Sequence, residues 1–233
     1  MCGRSSLTVT EKQLEIRFNA SFYSEDLERY NPIPNFNMAP SQKLPVITDS
    51  DPEHINLFRW GLIPFWAKDE KIGYRMINAR SETVEQKPAF RQPFRSRRCL
   101  WPIDGYYEWI KKEKEKIPYR VVMRDEGIYT IAGMWESWKN PDGEKVYSFT
   151  ALTKAASPSM EFLHHRMPVI IPKELEKQWL DPALDPSSFL EELPEFGTDQ
   201  LRVYRVSQKV NSVQNNNKEL VLEFPDSEQG SIF

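Results

Sequence analysis

The chain of 233 residues is poor in cysteine, histidine and glycine, with two, three and nine of them respectively. Two thiols, Cys2 and Cys99, cannot build a disulfide framework or a four-thiolate zinc site. No apolar run approaches the roughly 18–20 residues of a membrane-spanning helix, so no membrane partner is expected. The start, "MCGRSSLTVTEKQ", lacks the apolar stretch of a signal peptide, and a cytoplasmic protein in reducing surroundings is the expectation. An excess of positive charge is also missing: the formal net charge is −3. That excludes a generally cationic nucleic-acid binder, so any polyanion has to be held by a local patch.

What is present points to a folded α+β protein. An apolar share of 39% with 12% aromatics supports a packed core, and eighteen prolines favour turns over a helical bundle. One domain over residues 1–222 with a polar tail, 223–233, is expected. "TEKQLEIRF" predicts a helix with Thr10 as N-cap and Gln13 completing a capping box. "SPSMEFL" and "PKELEKQWL" predict short helices opened by proline, and "SETVEQKPAF" another after an Asn78–Arg80 loop. "KLPVITD", "INLFRWGLI", "CLWPIDGYYEWI", "IPYRVVMRD", "IYTIAGMWES", "VYSFTALT" and "LRVYRVS" read as strands. "KKEKEK", "DEG" and "NPDG" between them read as hairpin connections. Strands in hairpins with irregularly inserted helices predict an antiparallel, barrel-like sheet.

Cys2 is the most informative thiol. If Met1 is removed, it offers a free α-amine titrating near 8 and a thiol near 8.5, against about 10.4 for lysine. Such a 1,2-aminothiol condenses with an aldehyde to an imine, and the sulfur then closes a five-membered thiazolidine. Its other use is N-terminal nucleophile hydrolysis of an amide. Three polar groups lie beside apolar stretches and are candidates to assist it: Asn78 in "INARSET", Glu108 in "DGYYEW" and the His164–His165 pair in "LHHRMP". A carboxyl among aromatics favours its neutral form and can exchange protons near neutrality. Against these stand plainer roles: a turn residue for Asn78, an outward-facing Glu108, a helix-end histidine pair, and a buried, inert Cys99. A metal reading lacks the ligand spacing, and no metal or cofactor is expected. "FRQPFRSRRC" gathers Arg91, Arg95, Arg97 and Arg98, with Arg4, Arg75 and Arg80 as possible companions, and Phe65-Trp66 in "WGLIPFW" could stack on bases. The competing view makes Trp60 and Ile63 core and the arginines a solvated surface.

Taken together, "MCGR", "FNMAPSQ", "WGLIPFW", "INARSET", "CLWPIDGYYEW", "HHRMPVII" and "VSQKVNSV" resemble the SRAP family, the SOS response-associated peptidases or abasic site processing proteins. The resemblance implies an SRAP-type α+β fold around a barrel-like core. It implies a monomer that crosslinks through Cys2 to abasic sites in single-stranded DNA, with peptidase and lyase activity as possible extras. Carried over by motif, Asn78 positions the opened sugar, Glu108 shuttles protons and His164 acts on the sugar oxygen. Arg4, Asn37, Pro40, Phe65, Trp66 and Arg80 hold the flanking DNA. Two departures stand out: His165 where the family often has an acid, and Phe65-Trp66 where it can have two tryptophans. An N-terminal cysteine peptidase or amidohydrolase, or a non-catalytic single-strand binder, are the competing functions.

Overall fold

Five strands close on themselves at the centre of the molecule, a computed structural model that describes residues 3–113 and 115–224. Cys2 lies outside the described residues, as do residues 225–233, where most of the expected tail falls. In chain order the strands are β1 (Ser5–Leu7), β2 (Ser21–Phe22), β3 (Asn35–Met38), β4 (Lys43–Thr48), β5 (Asp51–Trp60), β6 (Asn78–Arg80) and β7 (Arg98–Ile103). They continue with β8 (Gly105–Lys112), β9 (Glu115–Met123), β10 (Tyr129–Lys139), β11 (Lys145–Ala155), β12 (Arg166–Pro168), β13 (Ile170–Ile171) and β14 (Leu201–Arg205). Helices α1 (Glu11–Phe18), α2 (Ser24–Arg29), α3 (Arg91–Ser96), α4 (Glu176–Trp179) and α5 (Pro186–Glu192) are short, as expected.

The order β11-β10-β7-β4-β5 is antiparallel throughout, and β5 then pairs with β11 in parallel, Ser148 opposite Arg59, to close the barrel. Its interior is filled by Trp60 of β5, Trp101 of β7 and Phe149 of β11, the first and last directly paired where the ring closes. Their ring centroids are 4.6 and 5.3 Å apart. All three are fully buried, each worth about 1.5–3 kcal/mol in transfer from water. A second sheet, β14-β9-β8-β1-β3, leans on the barrel with one face. A smaller cluster of Tyr107, Val122, Tyr204, Val206, Val210 and Leu220 covers the other.

Several local expectations hold. Thr10 and Gln13 form the capping box of α1. "NPDG" joins β10 to β11, with Gly143 at φ +87°. Others are corrected. "CLWPIDGYYEWI" is two strands, because Asp104 turns inward between them. Its carboxylate accepts from Ser6 Oγ (2.6 Å), Thr8 N (2.6 Å) and Arg120 Nη2 (2.8 Å), a buried charge that ties the turn between β7 and β8 to β1 and β9 of the second sheet. "DEG" is not a hairpin: β9 and β10 belong to different sheets, and the turn carries the chain across. The Asn78–Arg80 loop is strand β6, parallel to β11, and the helix expected after it is of the 3-10 type, Ser81–Gln86. Ser157 precedes only a 3-10 turn, Pro158–Met160, and its hydroxyl donates to Phe196 O instead of capping it. Asp185, within a segment read only as acidic and proline-rich, caps α5. Glu223 and Phe224 are still attached to β14, through Arg202 and Arg205 O.

Candidate functional site

β5 ends at Trp60, and the chain leaves the barrel through Gly61, whose φ of +118° disfavours any side chain. A Cβ there would also meet the Gly73 carbonyl oxygen at 2.6 Å. The two glycine backbones therefore touch, and the exiting segment is pinned at several points. Gly61 N donates to Phe149 O (2.8 Å), Ile63 N to Ser148 Oγ (2.8 Å) and Trp138 Nε1 to Ala67 O (2.6 Å). Ala67 N closes a turn onto Pro64 O, leaving Phe65 and Trp66 at its tip, 63% and 49% exposed. Two neighbouring aromatics held outward on a braced turn are unusual for a solvated surface. Trp60 and Ile63 of the same motif are core.

Trp66 forms part of a pocket of about 350 Å³ shared with Met76, Asn78, Arg80, Lys87, Pro88 and Phe90. The structure thus brings together three residues singled out in the sequence: Trp66, Asn78 and Arg80. Asn78 is half-buried where β6 enters its pairing with β11, and Arg80 is exposed at the strand's end. Pro40 lies just before Ser41, whose N–H donates to Trp60 O, so it abuts the root of the same aromatic turn.

Glu108 and His164 form a second grouping. Alternation along β8 sends Tyr107 and Trp109 toward the cluster on the outer face and Glu108 with Tyr106 toward the barrel. Glu108 is only 4% exposed, so the outward-facing alternative is excluded. His164, half-buried just before β12, has its pKa pushed below the ordinary 6.5 by burial, and the nearby Glu108 charge opposes that push. Its Nδ1 accepts the Arg166 N–H at 2.9 Å. Arg166 O lies 3.1 Å from the same nitrogen, so Nδ1 accepts from the Arg166 N–H in one tautomer and donates to its carbonyl in the other. His165 stacks on His164 with centroids 4.2 Å apart, taking the place of an acidic neighbour.

A residue pair that motif reasoning passed over joins the two groupings. Arg166 reaches from β12 to Glu82 through two parallel bonds, and also donates to Thr153 O on β11 at 2.6 Å. Thr153 Oγ1 in turn donates to Ala79 O in β6. The backbone that carries His164 is thereby locked to the strand that carries Asn78 and Arg80. Burial pushes the Glu82 carboxyl up, but the bonds from Arg166 and from Ala155 N hold it below the ordinary carboxylate range. Both partners sit inside quoted motifs, "RSET" and "HHRMP"; only their distance of 84 positions along the chain hid the pairing.

Arg4 and Asn37 meet each other away from the pocket lining. Arg4 Nη1 donates to Asn37 Oδ1 (2.6 Å) and Val210 O (2.7 Å), and Nη2 to Asn211 O (3.1 Å). Asn37 is buried, and its Nδ2 faces the carbonyls of Ser212 (2.9 Å) and Asn215 (2.8 Å). The late "VSQKVNSV" motif is thus the counterpart of "MCGR" and "FNMAPSQ". The arginine run, by contrast, does not form a patch. Arg98 is fully buried, donating to Trp179 O, Arg95 O and Asp181 O; Arg97 pairs with Glu136 and Arg95 with Glu85. Cys99 is buried, and desolvation raises its thiol pKa well above the ordinary value, making it unreactive. Among the described residues, no helix is long and apolar enough to cross a membrane.

A closed β-barrel with a second sheet leaning on it and short helices inserted between the strands define an α+β domain. Residues 1–213 match the family model "SOS response associated peptidase (SRAP)". The chain is 42% identical over 224 residues to the abasic site processing protein YoqW of Bacillus subtilis, covering 95% of this chain and 99% of that one. It is 27% identical to the abasic site processing protein HMCES of Xenopus tropicalis, covering 94% and 77%. A crystal structure of a Bacteroides thetaiotaomicron protein superposes with a TM-score of 0.81 at 28% identity, covering 89% of this chain and 93% of that one. The chain belongs to the SRAP family.

Proposed function

We propose that this protein processes abasic sites by capping the ring-opened sugar of single-stranded DNA with its own N-terminal cysteine. The observation that carries the reading is a single backbone bond: Tyr107 N donates to Arg4 O at 3.0 Å, immediately beside Glu108. Cys2 lies outside the described residues, but only two residues of chain, at most about 7 Å, separate it from Arg4, and its amine and thiol are proposed to turn toward Glu108 and His164.

The chemistry is set by the groups present. His164, neutral above its lowered pKa, exchanges a proton with the sugar oxygen as the hemiacetal opens to an aldehyde. The amine of Cys2 attacks the aldehyde carbon, and the adduct loses water to give an imine, with Glu108 relaying protons. The thiol then adds to the imine carbon while its proton passes to nitrogen, so aldehyde plus aminothiol yields thiazolidine plus one water. Met1 has to be removed first, since an amide nitrogen cannot attack; that cleavage is the peptidase activity we assign. An imine that fails to close is prone to β-elimination, which makes a weak lyase activity its side path. Asn78 orients the opened sugar, Arg80 and the Phe65-Trp66 turn hold the strand, and Asn37 contributes by fixing Arg4. The relatives' shared designation as abasic site processing proteins supports this reading.

Incubation of protein lacking Met1 with an abasic single-stranded oligonucleotide is expected to give a heat-stable shifted band on a denaturing gel. Cys2→Ala is expected to abolish it. Wild-type protein that gives no band, or a Cys2→Ala variant that still does, would overturn the proposal.

A further inference from the structure

We infer that Ser5 is a positioning residue for Glu108, its hydroxyl holding one water through which that carboxyl exchanges protons with the adducts of the N-terminal amine. The inference rests on the covalent reading above and deepens it. Ser5 is fully buried in β1, and among the described residues its Oγ has no hydrogen-bond partner. Its neighbour Ser6, turned to the other face, donates instead to Asp104 at 2.6 Å. A buried hydroxyl without a partner is costly, and alanine would fill nearly the same space without that cost. The hydroxyl therefore points to a polar guest.

The strand register says where that guest sits. Ser5 stands opposite Tyr106 in β8 and Met38 in β3, and directly opposed residues share a face. Tyr106 lies on the face that carries Glu108 toward the barrel, so Ser5 and Glu108 look the same way. The Tyr107 N–H on Arg4 O extends the pairing by one position and sets Glu108 beside residue 3. That residue is glycine, so β1 puts no side chain between Ser5 and Glu108 on this face. The two are diagonal neighbours, whose Cα atoms stand about 7–8 Å apart in such geometry. One water making two hydrogen bonds of about 2.8 Å each bridges a gap of that size. Met38 and Tyr106 are buried as well, which keeps bulk water from competing for the place.

A hydroxyl donates and accepts at once, so it can hold this water in either orientation. As the amine–aldehyde adduct loses its hydroxyl, the Glu108 carboxyl gives a proton to the water and the water gives one to the departing oxygen. The carrier is regenerated and charge is conserved. Ser5 touches no reacting atom; it fixes the carrier in place.

The test uses protein lacking Met1, with Ser5→Ala and Ser5→Thr beside wild type. Ser5→Ala is expected to melt at or slightly above the wild-type temperature, since it removes an unpartnered buried group. It is expected to bind a tetrahydrofuran abasic analogue, which cannot open, as tightly as wild type. Its capping rate on true abasic single strands should fall about tenfold, and its half-maximal pH between 5 and 9 should move by about half a unit or more. Ser5→Thr keeps the hydroxyl and is expected to leave that pH profile in place. A Ser5→Ala variant with the wild-type rate and profile would overturn the inference. So would a slower variant whose profile does not move, which signals packing alone, or a threonine profile displaced as far as that of alanine. Wild type that never crosslinks removes the covalent reading and this inference with it. Wild type that crosslinks, matched in full by Ser5→Ala, removes the inference alone.

Discussion

Glu82 and Arg166 face each other as a fork, Nη1 to Oε1 at 2.6 Å and Nη2 to Oε2 at 3.0 Å, across the end of β11. Arg166 is nearly buried while the Glu82 side chain is 47% exposed, so the pair is partly screened and its direct contribution to stability is modest. Its larger effect is geometric. Both backbone groups of Arg166 lie on His164 Nδ1, at 2.9 and 3.1 Å, so the fork anchors the residue that holds the ring.

Glu82→Ala is therefore expected to lower the melting temperature by only a few degrees, since about 1 kcal/mol corresponds to roughly 2–4 °C in a chain of this size. The rate of capping should fall further, about tenfold, through loss of general acid–base efficiency. Thermal melts paired with gel kinetics check this. A rate that stays at the wild-type value while stability drops would show the pair to be structural only.

Asn37 carries a different load. Its amide serves two carbonyls of residues 212–215 and accepts from Arg4, all in a buried setting. Asn37→Ala strands those partners and is expected to cost about 2–4 kcal/mol. Amide exchange in residues 208–217 should accelerate well before the barrel is affected, as hydrogen exchange by mass spectrometry would register.

The pH dependence has a definite sign. Because the folded His164 pKa is below its unfolded value of 6.5, the native state binds fewer protons in the interval just under 6.5. Its contribution is complete above 6.5 and declines as pH falls toward the folded pKa, so stability rises with pH across that interval. Denaturant midpoints measured from pH 5 to 7.5 should show this slope, and His164→Gln should flatten it. Glu82 adds a second decline at lower pH, as acid reaches its depressed carboxyl.

The aromatic turn separates stability from binding. Phe65→Ala, at an exposed tip, is expected to leave stability within about 0.5 kcal/mol and to weaken single-strand binding by about 1–3 kcal/mol. Gly61→Ala at the root should do the reverse of neutral. The strained φ and the 2.6 Å approach to Gly73 O predict a loss of at least about 2 kcal/mol and weaker binding together. Binding titrations beside denaturation curves distinguish the two classes.

Much of the fold was readable because it obeys local rules. The Thr10–Gln13 box, the "NPDG" turn and the aromatic and β-branched run "VYSFTALT" need only neighbours within a few positions. Candidate residues were readable where a polar group breaks an apolar run, as Glu108 does. What escaped depends on partners far apart. "DEG" has turn composition, yet its two strands find partners in different sheets, β9 between β8 and β14, β10 between β7 and β11. The arginine run is cationic on paper, yet Arg98 spends its donors on carbonyls of Trp179 and Asp181. Glu82 and Arg166 are polar residues of ordinary appearance until β11 brings them together.

The latch at Arg4 has a consequence for the order of assembly. Its carbonyl partners, Val210 and Asn211, are the 206th and 207th residues to follow it in synthesis. A growing polypeptide on the ribosome cannot fasten Arg4 until residues 210 and 211 have been made. Arg4 is consequently fastened late, and products cut short of residue 210 lack these bonds.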